Sequence, residues 1–149
     1  MNFIGKEYKG NKLIFEGEYL DGKRNGKGIE YNEEGNLIFE GEYINDKKRK
    51  GKEYVNNKLE FEGEYLFNKK WNGKGYDDNE NIIYELINGN GKVIEYDSRG
   101  NKEFEGNYLN GKREGSGREY ENGKLKYEGY FEDGKKFVRK FTRIRFSSK

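Results

Sequence analysis

An aromatic-Glu-Gly triplet recurs along this chain at Phe15-Glu16-Gly17, Phe39-Glu40-Gly41, Phe61-Glu62-Gly63, Phe104-Glu105-Gly106 and Tyr127-Glu128-Gly129, with a degenerate copy at Tyr84-Glu85-Leu86. Successive copies lie 24, 22, 23, 20 and 23 residues apart. A second marker, Glu-Tyr, recurs out of phase at Tyr8, Tyr31, Tyr54, Tyr96 and Tyr120. A period of this length makes each unit a small supersecondary element completed by its neighbours, which confines the chain to a repeat architecture.

Within a unit the pattern has the period of strands. In Leu13-Ile14-Phe15-Glu16-Gly17-Glu18-Tyr19-Leu20, residues Leu13, Phe15, Gly17 and Tyr19 fall on one face and Glu16 and Glu18 on the other. Asp21-Gly22 then supplies a hairpin turn, and Gly28-Ile29-Glu30-Tyr31 sets Ile29 and Tyr31 against Glu30. Equivalent turns recur at Asn110-Gly111, Asn122-Gly123 and Asp133-Gly134. Helix is a poor alternative, since a glycine every few residues costs about 1 kcal/mol each there and the apolar period is two. A lone hairpin is marginal in water, so the expectation is an all-β, single-layer antiparallel meander of tandem hairpins. A dozen strands at about 4.8 Å each give a continuous ribbon roughly 55–60 Å long. The triplet glycine is expected to leave room for a neighbouring ring. The repeat array covers residues 1–136, with five clear units and a degenerate one at 75–90. Residues 137–149 form a basic capping strand or tail.

Composition bounds the kind of core available. Of the 149 residues, 31% are hydrophobic and 39% charged, a balance that on its own suggests disorder. The 13 Tyr and 10 Phe argue instead for a thin, ring-lined structure. No apolar run approaches the ~20 residues of a membrane helix, and the charged N-terminus does not read as a signal peptide. The expected location is cytoplasmic, with a peripheral membrane association as the alternative. Net charge is +2, but residues 135–149 carry +7 and the rest −5, so a mildly acidic body ends in a basic tail.

Phe15-Glu16-Gly17-Glu18-Tyr19 followed by Asp21-Gly22-Lys23-Arg24-Asn25-Gly26-Lys27-Gly28 resembles the MORN repeat, an aromatic-x-Gly-x-aromatic strand, a turn and a Gly-x-Gly strand. Segments such as Glu119-Tyr120-Glu121-Asn122-Gly123-Lys124-Leu125 are similar to the variant found in bacterial YwqK-type proteins. The resemblance spans roughly residues 5 to 136. It implies a β-hairpin solenoid used for protein scaffolding, with phospholipid binding also proposed for the family, and no shared catalytic residues. Departures fall at Asn45-Asp46, a turn without glycine, and at Gly75 to Asn90, where the triplet glycine is lost and the turn shortened; the readings of the latter are a local bend that splits the ribbon into two arms and brings Trp71 and Tyr84 to an irregular surface, or plain degeneration of one copy.

The chain contains no His and no Cys, which removes imidazole acid–base chemistry, thiolate nucleophiles and Cys/His zinc sites. Ser98, Ser116, Ser147, Ser148 and Thr142 stand in no nucleophile–base spacing. The carboxylates sit at repeated strand positions and read as a solvated face. Gly17-Glu18-Tyr19-Leu20-Asp21-Gly22-Lys23 mimics a phosphate loop, but Arg24 stands where magnesium binding needs Ser or Thr, and the context is a hairpin. No enzyme activity, cofactor or metal is expected.

Three features remain as candidates for binding. The basic turns Lys23-Arg24, Lys47-Lys48-Arg49-Lys50, Lys69-Lys70, Lys112-Arg113 and Lys135-Lys136 would line one edge, about 10 Å apart per repeat; their alternative role is to keep that edge solvated. The rings Trp71, Tyr84, Tyr19, Tyr43, Tyr65 and Tyr108 would line an aromatic groove for a protein partner, or form the core itself. The tail, with Arg139, Lys140, Arg143 and Arg145, would cap the array as a strand or form a basic amphipathic helix; its Phe and β-branched content favours the strand. The functional expectation is a non-enzymatic scaffold for a protein partner. The alternatives are an anionic-phospholipid binder acting through Lys23, Arg24, Lys47, Lys48, Arg49, Lys112, Arg113 and the tail, and an antitoxin-like inhibitor. The net-acidic body argues against nucleic acid.

Overall fold

The computed structural model describes residues 2–138, and these are all-β, with no helix among them. Strands β1 (Phe3–Lys9), β2 (Lys12–Leu20), β3 (Lys23–Tyr31), β4 (Leu37–Ile44), β5 (Lys47–Val55), β6 (Lys58–Leu66), β7 (Lys69–Tyr76) and β8 (Ile82–Leu86) form one open antiparallel sheet in chain order. Strands β9 (Gly91–Tyr96), β10 (Lys102–Leu109), β11 (Lys112–Glu121), β12 (Lys124–Glu132) and β13 (Lys135–Phe137) form a second. Of the expected capping strand or tail at 137–149, residues 139–149 lie outside the described residues.

The turns explain the register. Asp21-Gly22, Asn45-Asp46, Asn88-Gly89, Asn110-Gly111, Asn122-Gly123 and Asp133-Gly134 all have positive φ at both central residues, the mirror-image turn whose twist matches a hairpin. Asn45-Asp46 keeps this geometry without glycine, at φ 49° and 69°, as does Phe67-Asn68. The longer loops begin at Asn32, Asp77 and Asp97, whose side-chain Oδ1 accepts two backbone N–H bonds each at 2.9–3.0 Å.

Fixed register aligns the glycines into a ladder across the sheet: Gly17↔Gly28, Gly28↔Gly41, Gly41↔Gly51, Gly51↔Gly63 and Gly63↔Gly73. Phenylalanine rings lie flat on it. A Cβ at Gly51 would stand 2.4 Å from the Glu40 carbonyl oxygen and 2.6 Å from Phe39 Cζ. The ladder therefore carries the core, since Phe15, Phe39, Phe61 and Phe104 are completely buried on it.

The expected continuous ribbon is not formed. Between β8 and β9 the pairing shrinks to a single bridge, Ile87↔Asn90. Here the ladder loses its glycines, because Leu86 pairs with Gly73 and Val93 with Gly106. Both side chains are buried, at 1% and 3% exposure. Two side chains at positions where the strands elsewhere approach with no Cβ hold β8 and β9 apart. The turns of the two sheets nevertheless meet: Gly89 N–H donates to the Trp71 carbonyl at 2.8 Å and Gly111 N–H to that of Gly89 at 2.9 Å.

Candidate binding surfaces

The sheets have two unlike faces. On the ring face, Phe15, Tyr43, Phe39, Tyr65 and Phe61 form a continuous zipper of edge-to-face contacts, with centroids 5.3–5.8 Å apart. Pairs of this geometry contribute about 0.5–1.5 kcal/mol each beyond burial. Over each phenylalanine sits the cation from the second position after a turn. Arg24 lies 3.9 Å from the Phe15 centroid, Lys48 4.5 Å from Phe39, Lys70 4.9 Å from Phe61 and Arg113 4.3 Å from Phe104.

Each cation is neutralised by the glutamate of a Glu-Tyr marker. Arg24 Nε donates to Glu7 at 2.7 Å and its Nη1 to Glu30 at 3.0 Å, and Arg113 Nε donates to Glu95 at 2.9 Å. The tyrosine hydroxyls complete the network, Tyr19 donating to Glu7, Tyr43 to Glu30 and Tyr65 to Glu53. Where the first sheet ends, Glu60, only 5% exposed, accepts from Lys70 at 2.6 Å and from Tyr84 at 2.6 Å. Burial works to lower the Lys70 pKa, but Glu53 and Glu60 more than offset it and the ammonium is held above its ordinary value. Burial, then the Glu7 carboxylate, pushes the Tyr19 phenol up to about 12. Burial followed by Glu40 does the same for Tyr54.

These contacts redistribute the residues singled out in the sequence. Tyr43, Tyr65 and Tyr84 are core, and Tyr19 and Tyr108 pack against it, so these rings form the interior of the array. Trp71 is half-buried, its ring against the Gly89 and Gly111 backbone. The basic turns divide. Arg24, Lys48 and Arg113 face the rings, while Lys23 and Lys47 are exposed. Arg49 pairs with Glu42 at 3.1 Å, and Lys112 with Asp133 at 2.9 Å. Arg139, Lys140, Arg143 and Arg145 lie outside the described residues. The reading of the carboxylates as a solvated face holds for Glu16 and Glu18 but not for Glu7, Glu30, Glu53, Glu60 and Glu95. The signal missed was the strict recurrence of Glu before Tyr in step with a cation two residues after each turn.

The opposite face is open. Above the glycine ladder runs a trough of about 620 Å³, floored by Gly28, Gly41, Gly51 and Gly63. One wall carries Lys27, Glu42, Lys50 and Glu64, the other Ile29, Glu40, Lys52 and Glu62, each paired in register with its neighbour. Each strand thus presents one sign of charge across the trough, and the sign alternates strand by strand. The second sheet repeats the feature, a trough of about 540 Å³ over Gly106, Gly117 and Gly129, with Lys92, Glu105, Arg118 and Glu128 in its walls and Ile83, Ile94 and Tyr130 adding apolar surface.

No family profile and no curated protein matches the chain. Among the described residues no group of three or more acidic side chains is placed to hold a metal ion, and no helix is long and apolar enough to cross a membrane.

Proposed function

We propose that the chain is a non-enzymatic interaction scaffold that binds a protein partner along the open face of its two sheets. The observation that carries this reading is the trough, repeated over the glycines of both sheets, walled by charges of alternating sign and covered by none of the described residues. The ring face of the first sheet supports it by exclusion: its tyrosine hydroxyls, cations and marker carboxylates are already bonded to one another. The resemblance to MORN repeats, with their scaffolding role, points the same way. Alternating bands select a partner by charge register more than by bulk affinity, since rim charges contribute mainly to specificity and encounter rate.

The test is affinity capture from an extract of the source organism, using the natural chain and a variant with Lys50, Lys52, Glu62 and Glu64 all changed to glutamine. Exposed pairs contribute about 0–1 kcal/mol each, so the variant stays folded. Loss of a captured protein in the variant supports the open face. Equal capture by both chains counts against it.

A further inference from the structure

One edge of the open face has a composition that solubility does not explain. At five of the six turns on that edge the residue before the turn is aliphatic and points away from the rings, because it follows a core side chain: Leu20 after Tyr19, Ile44 after Tyr43, Leu66 after Tyr65, Ile87 after Leu86 and Leu109 after Tyr108; at the sixth, Glu132 follows Phe131. Ile44, Leu66 and Leu109 are 50%, 40% and 50% exposed. The register sets a lysine beside four of them, Leu20↔Lys23, Ile44↔Lys47, Leu66↔Lys69 and Leu109↔Lys112. The exposed Phe67 ring extends the apolar surface, with Lys47 Nζ 5.2 Å from its centroid. The result is a strip in which aliphatic and cationic side chains alternate strand by strand.

The acids of this edge neutralise the strip only in part. Asp133 pairs with Lys112, and Asp46 Oδ1 accepts the Arg24 backbone N–H at 2.8 Å. Lys23, Lys47 and Lys69 make no ion pair among the described residues. A contiguous exposed apolar row marks an interaction site, and the surplus of lysine sets the sign of what covers it.

We infer that this strip docks an acidic amphipathic α-helix of a partner protein. Spacing favours a helix over a β-strand. Equivalent aliphatics are two strands apart, about 9.6 Å, and a helix returns to the same face every seventh residue, about 10.5 Å. The mismatch is under about 1 Å per step, within the reach of flexible lysines. An extended segment returns to one side every second residue, about 6.8 Å, and falls out of step after a single repeat. The occupant therefore carries an apolar residue every seventh position with Glu or Asp midway, over the lysines. This rests on the reading of the open face as the binding side, but it concerns residues outside the trough.

The test uses the full chain and a synthetic helical peptide of roughly 25 residues, with Leu every seventh position and Glu at the third and fourth positions between. Fluorescence anisotropy is read for this peptide, for a scrambled one and for one with Lys in place of Glu. The expected result is saturable binding of the first peptide only, weakened at least about tenfold by Leu66→Glu or Ile44→Glu. Circular dichroism checks that both variants keep the sheet. Equal binding of the scrambled peptide, or none of any peptide, overturns the inference. So does strip-dependent binding to vesicles of phosphatidylcholine and phosphatidylserine without peptide binding, which would assign the strip to a membrane. Loss of natural partner capture in the trough variant, with peptide binding unaffected, would show the two surfaces acting separately. Failure of the strip alone would leave the trough reading standing.

Discussion

Changing Gly51 to alanine is expected to destabilise the protein, although strand propensity argues the opposite sign. Gly51 lies inside a strand and outside the left-handed region, so alanine gains roughly 0.4–1 kcal/mol by restricting the unfolded chain. Against that, the new Cβ would stand 2.4 Å from the Glu40 carbonyl oxygen, 2.6 Å from Phe39 Cζ and 2.8 Å from Gly41 Cα. Two of those atoms are backbone, and the third belongs to a ring with no exposure, so none yields without moving a strand or the core. Overpacking of this kind costs about 1–3 kcal/mol, with this site at the upper end. The net expectation is a loss of about 2 kcal/mol. Gly129 is the control, on the glycine row of the second sheet: its Cβ would meet the far end of Tyr127, the hydroxyl at 2.5 Å, and that half-exposed side chain can swing aside. Urea denaturation separates the two. With a slope of about 2 kcal/mol/M, Gly51→Ala lowers the midpoint by about 1 M and Gly129→Ala by well under half of that. Equal midpoints, or stabilisation at Gly51, would refute the close-approach account of the ladder.

Neighbouring cations are expected to differ. Arg24→Ala removes the guanidinium from Phe15 and strands Glu7 and Glu30, costing about 2 kcal/mol, whereas Lys23→Ala changes stability by less than about 0.5 kcal/mol; thermal melts of the two variants check this. The raised phenols set an alkaline limit. A tyrosine whose folded pKa lies above its unfolded value of about 10 contributes stability that is complete below pH ~10 and lost as pH rises through the folded value. With Tyr19 and Tyr54 at about 12, absorbance titration should show phenols silent at pH ~11 that ionise together with unfolding; complete ionisation in the folded protein at that pH would contradict it. Gly89→Ala, whose Cβ would stand 2.6 Å from the Trp71 ring, should shift the Trp71 emission maximum, and an unchanged spectrum would mean the ring does not rest on that turn.

Much of the architecture was legible because turn chemistry and period-two alternation are local. Asp21-Gly22 and its equivalents fix register, register aligns the glycines, and the glycines seat the rings. The irregular unit was visible in Leu86 and the shortened turn, which raised the reading of a bend splitting the ribbon there; placing the break between β8 and β9 takes both Leu86 and Val93, one on each side of a hairpin. Face assignment failed where charge is buried. Glu30 alternates with Ile29 as expected, yet it is the glutamate that faces the rings, since Arg24 and Tyr43 supply the bonds that make a carboxylate acceptable there. The aliphatic strip was present in the sequence as Leu20, Ile44, Leu66 and Leu109. It became a surface only once the register set those residues on the open side.

The most direct measurement of the division between a closed ring face and a binding open face is lysine acetylation read by mass spectrometry, in the free protein and in the complex with the protein captured from the source organism. In the free protein Lys48 and Lys70 should react slowly, because they lie over Phe39 and Phe61, while Lys27, Lys50 and Lys74 on the open face react readily. On binding, Lys27, Lys50 and Lys74 should become protected, with Lys9 and Lys58 unchanged at the other edge. Protection confined to Lys9 and Lys58, or none at Lys27, Lys50 and Lys74, would contradict the assignment of the open face as the binding surface.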